Sequence, residues 1–233
     1  MKTMFMFDLL TAKKMLKSQF VLSVVVAVIF GVSTDMPLAI IPFMALMLAY
    51  ATGFTLVAYD ERNDWEKLRL TLPLSRADII RGRYATFAAM TMAGIVLGGV
   101  LVAVLWVLAQ LAPTAPVLSE FAGALDWQMA VAMVVSGVVF ALVLWIIALP
   151  LVARYGMTKA VRFLPLAFVI VLPIATVLVQ KAGPLPASVM DFVAWVATPT
   201  GTLVAAGAAL AFIVVLFVLS SMLSVRLYEK REF

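Results

Sequence analysis

Neither cysteine nor histidine occurs anywhere in the 233 residues. Their absence removes thiol chemistry, zinc sites built from the usual ligands, and imidazole acid–base catalysis. Charge is scarce too: 12% of residues are charged and 65% are hydrophobic, where a soluble domain carries about 25% and about 45–50%. No G-x-x-x-x-G-K-[ST] run is present, so the chain has no phosphate-cradling loop of the usual kind and no bound nucleotide or metal is expected in it. Nothing in the sequence marks a catalytic site.

What is there is apolar sequence in long blocks, with a mean hydropathy of +1.14. Cutting the chain at its charges leaves the uncharged intervals 18–34, 36–59, 84–119, 127–153, 163–180 and 192–225. A bilayer crossing needs about 20 apolar residues, with a range of about 17–25. Pro113 and Pro116 shorten the third interval, and Pro199 and Gly201 divide the last. The expectation is an all-α polytopic membrane protein, one domain over 1–233, with six transmembrane helices at about 18–34, 37–58, 84–111, 128–152, 163–180 and 201–225. The first is short and relies on Lys14 and Lys17 snorkelling to the interface. Gly31-Val32-Ser33 is a poor signal-cleavage site, so this span reads as an uncleaved anchor.

The basic residues set the orientation. Lys2, Lys13, Lys14 and Lys17, then Arg62, Lys67, Arg69, Arg76, Arg81 and Arg83, then Arg154, Lys159 and Arg162, then Arg226, Lys230 and Arg231 all fall on one side; only Lys181 does not. The positive-inside rule makes that side cytoplasmic and puts both termini there. The net charge of +5 is thus a topology signal. It forms no basic–aromatic groove, and no nucleic-acid partner is expected.

Residues 1–17 read as an N-terminal surface helix, with Phe5, Leu9, Ala12 and Leu16 on one face and Lys13, Lys14 and Lys17 on the other. A plain basic flank is the competing reading, and Asp8 interrupts the apolar face. The apolar segment 182–199 reads as a short outer helix before the sixth span, capped at Ser188 with Asp191 three residues on. No ionisable group lies well inside any span, which argues against an ion-coupled carrier. Ser136 and Ser220 read as small packing residues. Gly94-x-x-x-Gly98, and Gly201 with Ala205, are close-packing positions. They serve either packing within the chain, the favoured reading, or an interface with a second chain.

The charged residues concentrate between the second and third spans, in YDERNDWEKLRLTLPLSRADIIRGRY from Tyr59 to Tyr84. Asn63 can cap a short helix, 63–72, with Asp64 and Glu66 in its first turn where the macrodipole favours acids. Trp65, Leu68 and Leu72 share a face, and Pro73 ends it. Ser75, with Asp78 three residues on, caps a helix that nothing stops before Leu111. The first turns of that helix, with Arg81 and Arg83, are expected to protrude into the cytoplasm. Periodicity alone leaves two readings of the island: a contact face for a soluble partner, or a loop packed on its own bundle.

Leu72-Pro73-Leu74-Ser75-Arg76-Ala77-Asp78, with Glu61, Trp65 and Glu66 ahead of it, resembles the inner-loop signature of bacterial type-2 ATP-binding-cassette (ABC) permeases. The number of spans, the surface helix and the outer helix extend the likeness along the chain. The resemblance implies a coupling helix seated in a cleft on a separate ABC ATPase subunit, which holds ATP and Mg. It gives the contact face as Glu61, Asn63, Asp64, Trp65, Glu66, Leu68, Leu72, Pro73, Ser75 and Arg76. It also implies a second permease chain, identical or a sibling, and a place in the bacterial cell membrane in contact with lipid. The expected function is that of an exporter permease for hydrophobic or amphipathic cargo, such as antimicrobial or surfactant peptides. A non-transporting membrane assembly or regulatory protein, and less favourably a secondary carrier, are the alternatives.

Overall fold

The computed structural model describes residues 2–34, 36–62, 74–112, 121, 123, 126–156 and 186–230, without the side chains of Lys14, Glu61 and Arg62. These residues form six α-helices: α1 (Lys2–Ser33), α2 (Ile40–Arg62), α3 (Arg76–Leu111), α4 (Trp127–Tyr155), α5 (Ala187–Val196) and α6 (Pro199–Glu229). A 3-10 turn, Pro37–Ala39, precedes α2, and no strand occurs among the described residues. Five stretches are long and apolar enough to cross a bilayer: Met15–Ser33, Pro37–Asp60, Arg76–Leu111, Trp127–Tyr155 and Pro199–Glu229. The expected fifth span, 163–180, and the expected short helix 63–72 lie outside the described residues.

Local chemistry sets most helix ends. Ser75 caps α3 as expected: its Oγ accepts from the Asp78 N–H at 3.0 Å and donates to Asp78 Oδ2 at 2.7 Å. Asp126 caps α4 by accepting from the N–H groups of Gln128 and Met129. Gly156 ends α4 with φ 78°, a conformation that favours glycine. Thr198 caps α6 through the Gly201 N–H, with Pro199 in the first helical position where no N–H is needed.

Several boundaries differ from the sequence expectation. No break separates residues 2–17 from the first span; α1 is one helix of 32 residues. Between Lys13 and Phe20 there is no proline or glycine to stop it. The buried face of its first half is Met4, Asp8 and Ala12, while Phe5, Leu9 and Leu16 are only half-buried. Helix α2 continues through Arg62, so Asp60 belongs to a helix rather than a loop. Helix α5 starts at Ala187 after Pro186, with no side-chain cap, so Ser188 is not its N-cap. Helix α4 runs through Pro150 to Tyr155. That proline cannot donate to the Ile146 carbonyl, and Ser220 Oγ of α6 donates to it instead, at 2.8 Å.

Helix α2 is the spine, packed by α1, α3 and α4, and the main core gathers around its Ile40, Ile41, Met44 and Ala45. The packing depends on small residues. A Cβ on Gly94 would lie 2.5 Å from Ala45 Cα, and one on Gly98 would lie 2.9 Å from Ile41 Cα. Both glycines therefore serve packing within the chain. Gly201 abuts the Trp195 carbonyl at the α5–α6 turn, and Ala205 is half-buried. Gly94→Val is expected to cost about 1–3 kcal/mol, the range for overpacking. Gly99→Val, where a Cβ meets nothing within 4 Å, should be close to neutral. Thermal unfolding of the two variants in lipid nanodiscs checks the ranking, and equal costs would count against the α2–α3 contact.

Outward faces stay apolar. Val96 and Val100 of α3 and Phe212, Val215 and Leu219 of α6 are all exposed. In water this would be an aggregation hazard; in a bilayer, hydrocarbon is the solvent for such faces.

Candidate functional site

The island's two flanking helices, α2 and α3, meet at one end of the bundle, and that end holds the buried charges. Arg83 sits on the α3 face that also carries Ile79, Phe87 and Met90, one turn apart and turned inward. Its side chain is buried rather than protruding into solvent, which corrects the sequence expectation for this residue. Two carboxylates make the burial tolerable. Arg83 Nη2 donates to Asp60 Oδ2 of α2 at 2.6 Å and to Asp8 Oδ1 of α1 at 3.2 Å. Its Nε lies 3.0 Å from Asp8 Oδ2, an ion pair whose angle is too poor for a hydrogen bond. Thr86 Oγ1 lies 3.2 Å from Asp8 Oδ2 and 3.0 Å from the Gly82 carbonyl, and its one hydrogen serves one of the two acceptors at a time. Asp8 is 0% exposed and both Asp60 and Arg83 are 6% exposed, so the three charges lean on each other rather than on water.

A second polar cluster adjoins the first. Tyr84 of α3 lies 2.8 Å from Ser220 Oγ and 2.7 Å from Ser224 Oγ, both on α6. Each hydroxyl has one hydrogen to give. Ser220 gives its hydrogen to the Ile146 carbonyl, so Tyr84 must donate to Ser220 and Ser224 must donate to Tyr84. The relay Ser224 → Tyr84 → Ser220 → Ile146 thus joins α3, α6 and α4. Ser220 is a member of this network and not the packing residue expected; Ser136, among the described residues, donates to the Met133 carbonyl of its own helix.

Arg76, the first residue of α3, donates through Nη1 to the Glu229 carbonyl at 2.8 Å. A cation on the final carbonyls of α6 is favoured by that helix's dipole. Of the ten residues expected to form the contact face, Ser75 and Arg76 are placed at this end, and Glu61 stands in the last turn of α2. Asn63, Asp64, Trp65, Glu66, Leu68, Leu72 and Pro73 lie outside the described residues. A cavity of about 40 Å³ beside Asp60, Arg83, Tyr84 and Tyr228 has the volume of a water rather than of a substrate.

The Asp8–Asp60–Arg83 triad escaped sequence reasoning. The signals for it were an acid interrupting the apolar face of the first helix, and an acid and a base at the facing ends of the next two. Among the described residues, no group of His, Cys, Asp and Glu could hold a metal ion.

Comparison with known families places these features together. A model of the ABC-2 family transporter protein matches residues 3–229, nearly the whole chain, whereas no curated protein matches it. The island, the capped α3 and the buried triad all lie inside the matched region. The chain belongs to the ABC-2 transporter family, a membrane component of ABC transporters that lies in the plasma membrane as a multi-pass protein.

Proposed function

We propose that the chain is the permease subunit of an ABC exporter, driven by a separate ATPase subunit docked on the 60–83 segment. The observation that carries this reading is the polar end itself. The two helices flanking 63–73 are tied there to each other, to α1 through Asp8 and to α6 through Tyr84 and Arg76. A push on that segment has somewhere to go.

Six spans and two cytoplasmic termini complete the reading. Gln128 near the start of α4 donates to the Ala197 carbonyl and to Thr202 Oγ1, near the start of α6. Ser220 meets Ile146 farther along both helices, so α4 and α6 run parallel. Two parallel helices in succession require the chain between them to return across the bilayer, which supports a crossing at 163–180. The first part of α1 and the end of α6 lie at the polar end with Arg76, Arg83 and Arg226, and the basic bias of the sequence on that side supports a cytoplasmic placement.

ATP and Mg belong to the partner subunit, and this chain contributes no catalytic residue. Six spans are few to enclose a path for large cargo, so a second permease chain, identical or a sibling, completes the channel. The uncharged spans suit hydrophobic or amphipathic cargo, such as antimicrobial or surfactant peptides.

Co-purification tests the reading. The ATPase subunit should follow the unaltered chain from detergent extracts and should be lost from Trp65→Ala/Glu66→Arg, while the variant's own thermal unfolding stays unchanged. Retention of the ATPase and its full turnover by the double variant would remove the docking role from this segment.

A further inference from the structure

We propose that the groove between the C-terminal ends of α4 and α6 binds the headgroup of an anionic phospholipid, whose acyl chains lie along the same two helices. The site is separate from the island and needs no ATPase. Only its assignment to the inner leaflet rests on the orientation argued above.

The groove has a volume of about 420 Å³ and is lined, among the described residues, by Arg154 and Tyr155 of α4 and Leu227 and Lys230 of α6. That volume lies in the range of about 300–1,000 Å³ usual for small-molecule sites. The two bases come from different helices, and both are exposed. The Arg154 guanidinium lies over the Tyr155 ring, 5.1 Å from its centroid, a cation–π contact that holds it beside the groove. Arg226, also exposed, stands one turn before Lys230. Like charges at that i, i+4 spacing repel, and an anion between them removes the penalty. Among the described residues, none of these three bases pairs with a carboxylate. The sequence holds no acid between Asp126 and Asp191. Glu229, next to Lys230, does not line the groove, and Glu232 lies outside the described residues.

The faces leading to the groove are apolar. On α4, Phe140, Val143 and Ile147 are exposed and Leu151 half-buried, and at helical spacing this row ends on Arg154. On α6, exposed Leu219 and Leu223 and half-buried Leu227 form a row that ends on Lys230. An apolar row terminated by a cation matches an anionic lipid along its length, with chains in hydrocarbon and phosphate at the interface. Arg154 can offer two N–H groups to phosphate oxygens, while Lys230 acts as a point charge. Compensation of the helix dipoles accounts for a base at each helix end, but not for an open groove between them. A free phosphate would meet the same bases and leave both apolar rows unused.

Native mass spectrometry of the full chain, released from delipidated detergent micelles and titrated with phosphatidylglycerol, tests the site. The parent should bind one phosphatidylglycerol in preference to phosphatidylcholine. Arg154→Gln/Lys230→Gln should weaken that binding roughly 30-fold, each base near an anionic headgroup being worth about a fivefold change. Lys13→Gln/Arg81→Gln removes the same charge from two other exposed bases and should leave the affinity within about twofold. Arg154→Lys/Lys230→Arg, which keeps both charges, should retain most of it.

Should the double variant fold poorly, Lys230→Glu alone, at an exposed position, reverses one charge of the groove and should weaken binding by a similar factor. Equal binding of phosphatidylglycerol by the parent and both groove variants would overturn the site. An equal loss in Lys13→Gln/Arg81→Gln would also overturn it, because diffuse positive charge would then suffice. Equal retention of phosphatidylcholine would overturn the anionic headgroup. Displacement of the lipid by inorganic phosphate at matched concentration would overturn the lipid in favour of a soluble anion. None of these readings involves an ATPase, so the permease reading can fail without touching them.

Discussion

Arg83→Met should destabilise the protein by about 3–5 kcal/mol, the cost of removing one partner from a buried ion pair. Two terms produce that magnitude. Loss of the guanidinium removes the charge-assisted contacts to Asp60 and Asp8. It also leaves two carboxylates close together and both buried. Neutralising Asp8 and Asp60 in the same chain should recover most of the loss, because replacing a whole buried ionic group is often neutral or stabilising. The single variant should therefore be worse than the triple variant that contains it. Thermal unfolding of the purified chain in nanodiscs, read for parent, single and triple variants, measures this directly. Salt should change the difference little, since buried pairs are weakly screened. A triple variant less stable than the single one would mean that the carboxylates have other charges to serve and that Arg83 is not their main partner.

How far the sequence foretold this arrangement depended on the range of each interaction. Contacts along a helix or at its ends were readable: Ser75 with Asp78, the uninterrupted run from Arg76 to Leu111, and the close-packing role of Gly94 and Gly98 all follow from spacing. The apolar intervals between charges located five of the long helices. Contacts between distant segments were not readable. Asp8, Asp60 and Arg83 are separated by 52 and 23 positions, and nothing local to any of them names the others. Arg83 was read as a topology charge because charge at a span's edge normally seeks water; two carboxylates, brought to it by α1 and α2, reverse that preference. Ser220 was similarly opaque. Its bond depends on Pro150 of another helix having freed the Ile146 carbonyl, a vacancy visible only once α4 and α6 are side by side. The junction at residue 17 was misplaced for a simpler reason. A change from basic to apolar composition alters where a helix lies, not whether it continues.

The packing beside the triad yields the second large effect. Trp145 of α4 is 2% exposed. Its ring stacks on Phe87 of α3 with centroids 3.9 Å apart and planes 10° from parallel, and meets Phe54 of α2 at 5.6 Å. Gly53 of α2 makes the space: a Cβ there would overlap the indole and come within 2.7 Å of the Phe87 ring. One side chain thus joins three spans. Trp145→Ala should cost about 3 kcal/mol, near the low end of the ~3–5 kcal/mol seen for large aromatic-to-alanine changes in water-soluble cores. The reduction follows from the solvent. In a bilayer the unfolded reference is also apolar, so the loss is mainly of dispersion contacts and stacking. Gly53→Ala alone should also destabilise, since its methyl group has no room. Combined with Trp145→Ala, it should cost much less than the sum, because the indole it would strike is gone. Contacting residues show couplings of about 0.5–3 kcal/mol, and this cycle should lie within that range. Simple additivity, measured by unfolding in mixed micelles, would mean that Gly53 and Trp145 do not share the space. In that case α2, α3 and α4 would not be held in register through this stack.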